Sequence, residues 1–239
     1  MTSESLKDQV VVVTGASSGI GAATVRLLHQ AGARPVLAAR RADRLEALSK
    51  ELGDALAVPT DVTDPAQIEA LIAATVDRYG RVDALVNNAG AGTFYRIDAI
   101  TPDAFLDMLN LNVVSVLSGI QAVLPHMRTA GRGRIVNVSS GSTRAPMAGN
   151  AAYPATKCAV NRLSEVARMD LADENIQVTL LLPSITATEF GDGVFLDGKP
   201  RPGGLIPHSP EYVAKFILRA LRTGEERIDV PHGPEQPID

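Results

Sequence analysis

The sequence is poor in the residues that build disulfide-bonded and metal-binding proteins. Its 239 residues include one cysteine, Cys158, and only four histidines, and it has no tryptophan. A single cysteine cannot form an intramolecular disulfide, so we expect a reducing compartment and a cytoplasmic protein. His29, His126, His208 and His232 are scattered without paired spacing, and we therefore expect no metal site.

Long apolar runs and an excess of positive charge are also missing. No apolar run reaches the roughly eighteen residues that a membrane span needs, and residues 1–9 lack the basic region of a secretory signal. The formal net charge is −4, whereas nucleic acids and anionic membranes select basic surfaces. We therefore expect a small-molecule partner, no nucleic acid and no membrane.

The overall composition is that of a globular protein, with 45% hydrophobic and 21% charged residues. Chains of about 200 to 250 residues often fold as one domain. No shift in composition divides this chain before Thr188, and we predict one domain over residues 1–239. Residues 189–208 are rich in glycine and proline and predict a long functional or mobile substrate loop.

Seven short β-branched or apolar runs predict strands, and segments with a helical period lie between them. The runs are residues 10–13, 34–39, 55–58, 82–86, 134–138, 178–182 and 227–230. Asp64, Thr101 and Ser209 each precede a proline and predict capped helix starts. Runs such as VVVTG and LLLP are apolar on both faces, as in parallel strands covered by two helix layers. The predicted fold class is therefore α/β, a doubly wound parallel sheet with helices on both faces.

The segment TGASSGIG follows the first predicted strand. It places Gly15, Gly19 and Gly21 at the junction with a helix that we expect to begin near Ile20. Glycine permits close backbone approach, and the free N–H groups of a helix N-terminus bind phosphate well. The spacing departs from G-x-G-x-x-G, because three residues separate Gly15 from Gly19. Both a nucleotide phosphate site and an ordinary strand-to-helix turn fit this pattern.

Basic residues follow the second predicted strand, at the point where a dinucleotide fold often carries an acid for the adenosine 2′-hydroxyl. Ala39, Arg40 and Arg41 stand there instead, and arginine offers paired donors to a 2′-phosphate. This favours NADP(H) over NAD(H), although both arginines could simply solvate a loop. Asp61, after the third strand, could bind the adenine amino group or only organise the next helix start.

A tyrosine and a lysine follow the fifth predicted strand, which ends in Ser139 and Ser140. Tyr153 and Lys157 are four residues apart and share one helix face. A neighbouring ammonium lowers the pKa of a phenol from its ordinary value of about 10, and general acid–base chemistry then becomes feasible. The same spacing also occurs by chance in many helices.

Taken together, the order and spacing of these motifs resemble the short-chain dehydrogenase/reductase family over roughly residues 7–188. The motifs are TGASSGIG, NNAG at 87–90, Asn112, Ser140, Tyr153 and Lys157. The resemblance implies a single-domain Rossmann-like fold and hydride transfer between a nicotinamide and a carbonyl or alcohol carbon. It implies that Tyr153 donates the proton, Lys157 lowers the pKa of that phenol and holds the nicotinamide ribose, Ser140 hydrogen-bonds the substrate oxygen, and Asn112 holds a relay water.

The resemblance also implies a set of cofactor contacts along the chain. They are Gly15, Ser17, Ser18, Gly19, Ile20 and Gly21 in the first loop, Arg40 and Arg41 at the 2′-phosphate, Asp61 and Val62 at the adenine, Asn88, Ala89 and Gly90 beside the adenosine ribose, Tyr153 and Lys157, and Pro183, Ser184, Ile185 and Thr188 near the nicotinamide. Ser184 stands where the family usually has glycine, so a residue with a side chain must make that turn. Pro154 fits only in the first turn of its helix.

We expect an NADP(H)-dependent oxidoreductase that interconverts a ketone or aldehyde and an alcohol, with Tyr153 as general acid/base. A 3-oxoacyl-thioester reductase acting on acyl carrier protein or coenzyme A is an alternative, with Lys199 and Arg201 as its basic surface. The ending RIDVPHGPEQPID, which replaces a glycine-rich one, weakens that alternative. A distant alternative is a non-catalytic NADP(H)-sensing protein, whose expected signature is loss of the tyrosine or lysine.

Loops 93–96, 141–151 and 189–208 are expected to shape the substrate pocket. Candidate apolar residues there are Phe94, Met147, Phe190, Val194, Phe195 and Leu196, and candidate anion-binding residues are Arg96, Arg144 and Lys199. Cys158 is expected to be a small packing residue. The stripe of Val113, Val116, Leu117, Ile120 and Leu124 predicts a core helix, and the resemblance implies that such helices pair in a homodimer or homotetramer.

Overall fold

The computed structural model describes residues 4–201 and 205–238. Seven strands are present in this part of the chain: β1 (Val10–Thr14), β2 (Arg34–Ala39), β3 (Ala57–Pro59), β4 (Ala84–Asn87), β5 (Gly133–Val138), β6 (Ile176–Leu182) and β7 (Arg227–Asp229). The helices are α1 (Gly19–Gln30), α2 (Ala42–Glu51), α3 (Pro65–Tyr79), α4 (Pro102–Leu109), α5 (Ser115–Ala130), α6 (Ala152–Asp170) and α7 (Pro210–Thr223). Each predicted strand is present, with its ends shifted by at most two residues.

All seven strands form one parallel sheet in the order β3-β2-β1-β4-β5-β6-β7. The chain runs outward from β1 to β3, then returns to the other side of β1 and continues from β4 to β7. The connections after β1 and β4 therefore diverge and open a crevice at the carboxyl ends of these strands, where ligands bind in such sheets. This architecture confirms the predicted α/β fold. The single domain over 1–239 stays a prediction, and residues 1–3, 202–204 and 239 lie outside the described ones.

Alternating side chains of each strand enter two separate cores. On β1, Val11 and Val13 pack with buried residues of α1, α2 and α7. Val10 and Val12 pack with α3, α5 and α6 on the opposite face. Burial on both faces explains why the central strands are continuous apolar runs.

The three predicted proline-led helix starts are confirmed by their caps. Asp64 accepts a hydrogen bond from the Ala66 N–H, Thr101 from the Ala104 N–H, and Ser209 from the Tyr212 N–H. Each pairs an N-cap oxygen with an otherwise unpaired N–H in the first turn. These caps fix the entry of α3, α4 and α7 next to the loops that line the crevice.

A π-helical turn over Asn110–Val114 joins α4 and α5 into one long helical stretch. Such turns are rare and occur often at functional sites. The stretch Pro102–Ala130 is long and apolar enough to cross a membrane by length and composition alone. Val116, Ile120, Val123 and Met127 of this stretch pack against the sheet, which gives its apolar character a role in the core.

The predictions of core packing for Cys158 and Leu117 are wrong. Cys158 is exposed, and Leu117 retains 41% of its accessible surface. Each follows a buried residue, Lys157 or Val116, and one helical step turns the next side chain by about 100° away from the core. Pro154 lies in the first turn of α6, where proline is tolerated.

Candidate active site

The glycine loop, residues 14–21, lies at the carboxyl end of β1 and leads into α1. A Cβ atom on Gly21 would lie 2.2 Å from the Gly15 carbonyl oxygen, and Gly15 itself has φ +68°. Only glycine fits these two positions, because any side chain would collide with backbone. The Ser18 side chain makes no capping bond at the N-terminus of α1, and no acid lies in its first turn. The N–H groups there remain available to an anion, so the loop fits a phosphate site.

The end of β4 holds the glycine loop in place. The Asn88 side-chain amide donates to the Thr14 carbonyl over 2.9 Å. The N–H groups of Asn88 and Ala89 both donate to the Thr14 hydroxyl, each over 3.0 Å. These bonds join the ends of β1 and β4 across the crevice. The predicted cofactor residues Asn88 and Ala89 therefore border the glycine loop directly.

The two predicted arginines occupy different environments. Arg40 is exposed. The Arg41 guanidinium lies against the glycine loop, where its Nε donates to the Ser17 hydroxyl over 3.1 Å and Nη2 to the Ser18 hydroxyl over 2.6 Å. Its Nη1 pairs with the Glu189 carboxylate. Arg41 is thus built into the glycine loop and does not merely solvate its own loop.

Asp61 organises the turn before α3. Its Oδ1 accepts bonds from the Thr63 N–H over 3.0 Å and from the Thr63 hydroxyl over 2.8 Å. These bonds, with a weaker contribution from Arg40, hold the pKa of Asp61 below its usual value. Val62 is buried next to it. Asp61 therefore organises the start of the next helix, one of the two roles that the sequence left open. Its contact with adenine stays a prediction.

Lys157 is buried with 3% of its surface exposed. Its Nζ donates to the Val138 carbonyl oxygen at the end of β5, over 2.8 Å. Burial lowers the pKa of this ammonium from 10.5 to about 8. A Cβ on Gly90 would lie 3.5 Å from Nζ and 3.0 Å from Asn112 Oδ1, so the predicted Gly90 leaves space beside both groups.

Tyr153 lies one helical turn before Lys157, and the ring of Phe190 covers its ring at a centroid distance of 5.0 Å. Burial raises the pKa of Tyr153 to about 12, while a hydrogen bond with Ser140 acts in the opposite direction. The expected lowering of this pKa by Lys157 is not found. The ammonium lies 5.8 Å from the centre of the phenol ring and gives its hydrogen bond to Val138.

Asn112 is fully buried in the π-helical turn and forms two hydrogen bonds with one residue of the loop after β4. Its Oδ1 accepts from the Ala91 N–H over 3.0 Å, and its Nδ2 donates to the Ala91 carbonyl over 2.8 Å. The same Nδ2 lies 3.0 Å from the Thr156 hydroxyl, next to Lys157. The side chain thereby ties the loop after β4 to α6. A bound water at this residue stays a prediction.

Asn161, which the sequence motifs do not single out, holds the loop that carries Ser140. Its Oδ1 accepts from the Ser139 hydroxyl, and its Nδ2 donates to the Thr143 hydroxyl over 3.2 Å. That hydroxyl in turn donates to the Ser140 carbonyl over 2.9 Å. Asn161 follows Lys157 by four residues on α6, and this i, i+4 relation is the one signal that could have found it.

Ser184 makes the turn after β6 without a positive φ, so the missing family glycine causes no backbone strain. Its hydroxyl lies 2.9 Å from His232 Nδ1, while Nε2 of that ring lies 2.7 Å from an Arg144 nitrogen. The Pro183 carbonyl accepts from the Gly141 N–H over 2.7 Å, and the Ile185 carbonyl accepts from the His208 N–H over 2.9 Å. The C-terminal segment therefore braces this turn.

Of the six predicted apolar pocket residues, Phe190 packs against Tyr153, whereas Met147, Val194 and Leu196 are exposed. Phe94 and Phe195 form an edge-to-face pair at 6.2 Å. A Cβ on Gly92 would lie 2.6 Å from the Phe190 ring and 2.8 Å from the Tyr153 ring. Gly92, which the sequence motifs do not single out, thus permits the contact between these rings. The substrate loop of residues 189–208 contributes Phe190 and Phe195, and its residues 202–204 lie outside the described ones.

Two of the three candidate anion-binding cations already have acidic partners. Arg96 pairs with Asp98 over 3.1 Å, and Arg144 with Asp229 over 2.6 Å. Lys199 is exposed and has no ion pair within the described residues. In the same part of the chain no three His, Cys, Asp or Glu side chains converge, and the absence of a metal site stays a prediction.

Burial of Lys157 predicts an unusual pH dependence of stability. Between about pH 8 and pH 10.5 the unfolded chain binds a proton that the folded protein has released, so wild-type stability rises with pH in this window. We expect Lys157→Met to raise the free energy of unfolding at pH 7 by about 2–3 kcal/mol. Loss of the hydrogen bond to the Val138 carbonyl reduces this gain. This gain should shrink toward pH 10.

Urea unfolding of wild type and variant at pH 7 and pH 10 measures the effect. Lys215→Met, at an exposed position on α7, is the matched control and should show no such change with pH. A Lys157→Met protein that is less stable than wild type at pH 7 would contradict the role assigned to burial.

Comparisons with known proteins agree with this geometry. A profile of the family described as short chain dehydrogenase matches residues 9–197. An uncharacterized oxidoreductase of Staphylococcus saprophyticus is 41% identical over 92% of this chain and 93% of its own. The glycine betaine reductase of Emericella nidulans is 35% identical over 92% of this chain, which matches 18% of that longer protein.

Solved structures give the same result. A 3-ketoacyl-(acyl-carrier-protein) reductase from Brucella melitensis, complexed with NADH, has a TM-score of 0.87 and 28% identity over 95% of this chain and 98% of its own. An alcohol dehydrogenase from Thermococcus sibiricus, complexed with 5-hydroxy-NADP, has a TM-score of 0.85 and 26% identity over 98% of this chain and its whole length. With the crevice of Tyr153, Lys157 and the glycine loop, these matches show that the protein belongs to the short-chain dehydrogenase family of oxidoreductases.

Proposed function

We propose that the protein is an NADP(H)-dependent oxidoreductase that interconverts a ketone or aldehyde and the corresponding alcohol. The proposal rests on one observation. Four side chains converge at the carboxyl edge of the sheet, across the crevice from the glycine loop: Ser140, Tyr153, Lys157 and Asn112. This arrangement joins a proton donor to a nucleotide site.

The choice of NADP(H) rests on positive charge at the end of β2. Arg40 and Arg41 follow this strand, and Arg41 already donates to Ser17 and Ser18 of the glycine loop. A guanidinium group against the glycine loop, with a second one adjacent in sequence, suits a 2′-phosphate better than a free hydroxyl. Thr188, whose methyl would lie 2.9 Å from a Cβ on Gly19, lies against the same loop, which supports the predicted role of its segment near the nicotinamide.

The bound nicotinamide supplies or accepts the hydride, and the protein handles the proton. Reduction of a carbonyl adds one hydride to carbon and one proton to oxygen. Tyr153, with a pKa of about 12, remains protonated at neutral pH and can donate that proton to the oxygen. Ser140 donates a hydrogen bond to the same oxygen as negative charge develops on it. Lys157 and Asn112 hydrogen-bond to the surrounding backbone, at Val138 and at Ala91.

The pocket favours a neutral, apolar carbonyl compound. Phe190 covers Tyr153, and Phe94 and Phe195 form an edge-to-face pair. Arg96 is paired with Asp98, and Arg144 shares the Asp229 carboxylate with Arg227. A carboxylate or phosphate on the substrate would have to compete with these acids.

A 3-oxoacyl-thioester reductase is the second candidate, supported by the similarity to the 3-ketoacyl-(acyl-carrier-protein) reductase structure. Such an enzyme needs a basic surface for its carrier. Arg201 is paired with Asp197 over 2.7 Å, which leaves Lys199 as the cation for this role. A non-catalytic NADP(H)-sensing protein is the third candidate, and it would bind the cofactor without turnover.

Assembly and location extend the proposal. The long helices α5 and α6 leave apolar side chains exposed, among them Leu117 and Met169. Such surfaces are costly in a monomer and suit a homodimer or homotetramer. The single cysteine supports a cytoplasmic protein, and the net charge of −4 supports a small-molecule partner over nucleic acid or a membrane surface.

Tyr153→Phe should abolish turnover and leave NADPH affinity within about twofold of wild type, because the change removes only the proton donor. The assay follows loss of reduced-nicotinamide absorbance with neutral ketones, aldehydes, 3-oxoacyl thioesters and 2-oxo acids. Turnover of thioesters alone would favour the second candidate. NADPH binding without turnover of any carbonyl would favour the sensing protein.

Arg40→Ala should weaken NADPH binding by at least about tenfold and leave NADH binding nearly unchanged, because a charged hydrogen bond contributes about 1.5–3 kcal/mol. Titration of both cofactors measures this. The matched control is Arg34→Ala. Arg34 lies at the opposite end of β2 and pairs with Asp8. Equal losses for NADPH and NADH would remove the 2′-phosphate role of Arg40.

Asn161→Ala should lower kcat by about tenfold or more while leaving NADPH affinity within about twofold of wild type, because the Asn161 side chain fixes the Ser140 loop through Ser139 and Thr143. Asn175→Ala, which removes a surface bond to the Gly131 carbonyl, controls for general loss of stability. A change in cofactor affinity alone would contradict a positioning role in the chemical step.

A further inference from the structure

Glu189, the first residue of the substrate loop, bridges two arginines near the glycine loop. Its Oε2 accepts from Arg41 Nη1 over 2.8 Å, and its Oε1 accepts from Arg44 Nη1 over 2.8 Å. The sequence motifs single out neither Glu189 nor Arg44. All three side chains are 40–45% exposed, so solvent ions and ligands can reach them.

The Glu189 carboxylate lies at a place built for an anion. The same Arg41 that holds it also donates to the hydroxyls of Ser17 and Ser18. The two arginines lower the pKa of Glu189 to about 2, and the group is therefore ionised at every pH at which the enzyme would work. A 2′-phosphate brought to the end of β2 would meet a carboxylate already bound to the guanidinium groups that suit it.

We propose that Glu189 sets the strength of NADP(H) binding, because its carboxylate competes with the cofactor's 2′-phosphate for Arg41 and Arg44. This inference rests on the proposed NADP(H) dependence. A cofactor with a free 2′-hydroxyl has no group that needs these arginines, and it binds with the ion pairs intact. Glu189 therefore acts against NADP(H) and leaves NAD(H) unaffected.

Displacement of Glu189 also affects the residues on either side of it. Thr188 packs against Gly19 of the glycine loop. Phe190 covers the ring of Tyr153. Three consecutive residues thus touch the phosphate loop, the arginine pair and the proton donor. Release of Glu189 by a 2′-phosphate frees the segment that covers Tyr153.

The test compares wild type with Glu189→Gln, which keeps the size of the side chain and removes its charge. We expect NADPH and adenosine 2′,5′-bisphosphate to bind about three- to tenfold more tightly to the variant, as expected for loss of exposed ion pairs. NADH and AMP should bind within about twofold of wild type. The difference should decrease at high salt, because both anions are screened.

Asp197→Asn is the matched control. Asp197 is also an acid of the substrate loop and pairs with its own arginine, Arg201. Its removal changes the net charge equally and should alter NADPH affinity by less than about twofold. An equal gain in both variants would show a general charge effect and overturn the competition.

Arg44→Gln separates competition from simple positioning. If Arg44 takes the 2′-phosphate once Glu189 leaves, this variant binds NADPH more weakly, by about threefold or more. Unchanged or weaker NADPH binding to Glu189→Gln overturns the inference and leaves the proposed function standing. A wild-type protein that prefers NADH overturns both the proposed cofactor and this inference, and it is recognised before any variant is made.

Discussion

The site depends on keeping one ammonium out of water. Lys157 is 3% exposed and has the Val138 carbonyl as its hydrogen-bond acceptor within the described residues. Removing a charge from water is costly unless nearby groups compensate for it. The positions of β5, of the loop after β4 and of α6 around Lys157 are therefore closely constrained. Asn112 fixes the loop after β4 by two hydrogen bonds to Ala91. Gly90, which has no side chain, leaves space beside the Lys157 ammonium.

The sheet topology brings this buried group next to the glycine loop. Because β1 and β4 are neighbours although their connections diverge, the loops after both strands share one crevice. Asn88 and Thr14 fasten these loops to each other. Because Gly21 and Gly15 pack closely without side chains, a phosphate-sized anion can approach the N-terminus of α1. The glycine loop and the pair of Tyr153 and Lys157 are thus parts of one crevice.

The strands, the proline-led helix starts and the clustering of Tyr153 with Lys157 could be predicted because each depends on residues close in sequence. Buried parallel strands are apolar throughout, and caps are fixed within one turn. The failures involve distance or orientation. Arg41 and Glu189 are 148 positions apart, and no local pattern joins them. Cys158 and Leu117 lie on apolar helices, but the exposed arc of each helix is set by its neighbours. The pKa of Tyr153 depends on its burial, which arises only when distant segments, among them the one with Phe190, fold around it.

The same segment links cofactor recognition to the chemistry. Phe190 packs on the Tyr153 ring, and burial raises the pKa of the phenol, so it stays protonated, as the proposed proton donation to a carbonyl requires. Oxidation of an alcohol needs the opposite, a phenol that releases its proton, and burial disfavours that phenolate. Glu189 adjoins Phe190 and is bound to the arginines of the glycine loop. In the competition proposed for Glu189, a 2′-phosphate that takes those arginines releases the residue next to Phe190, so that cofactor recognition and the environment of the proton donor share one short segment.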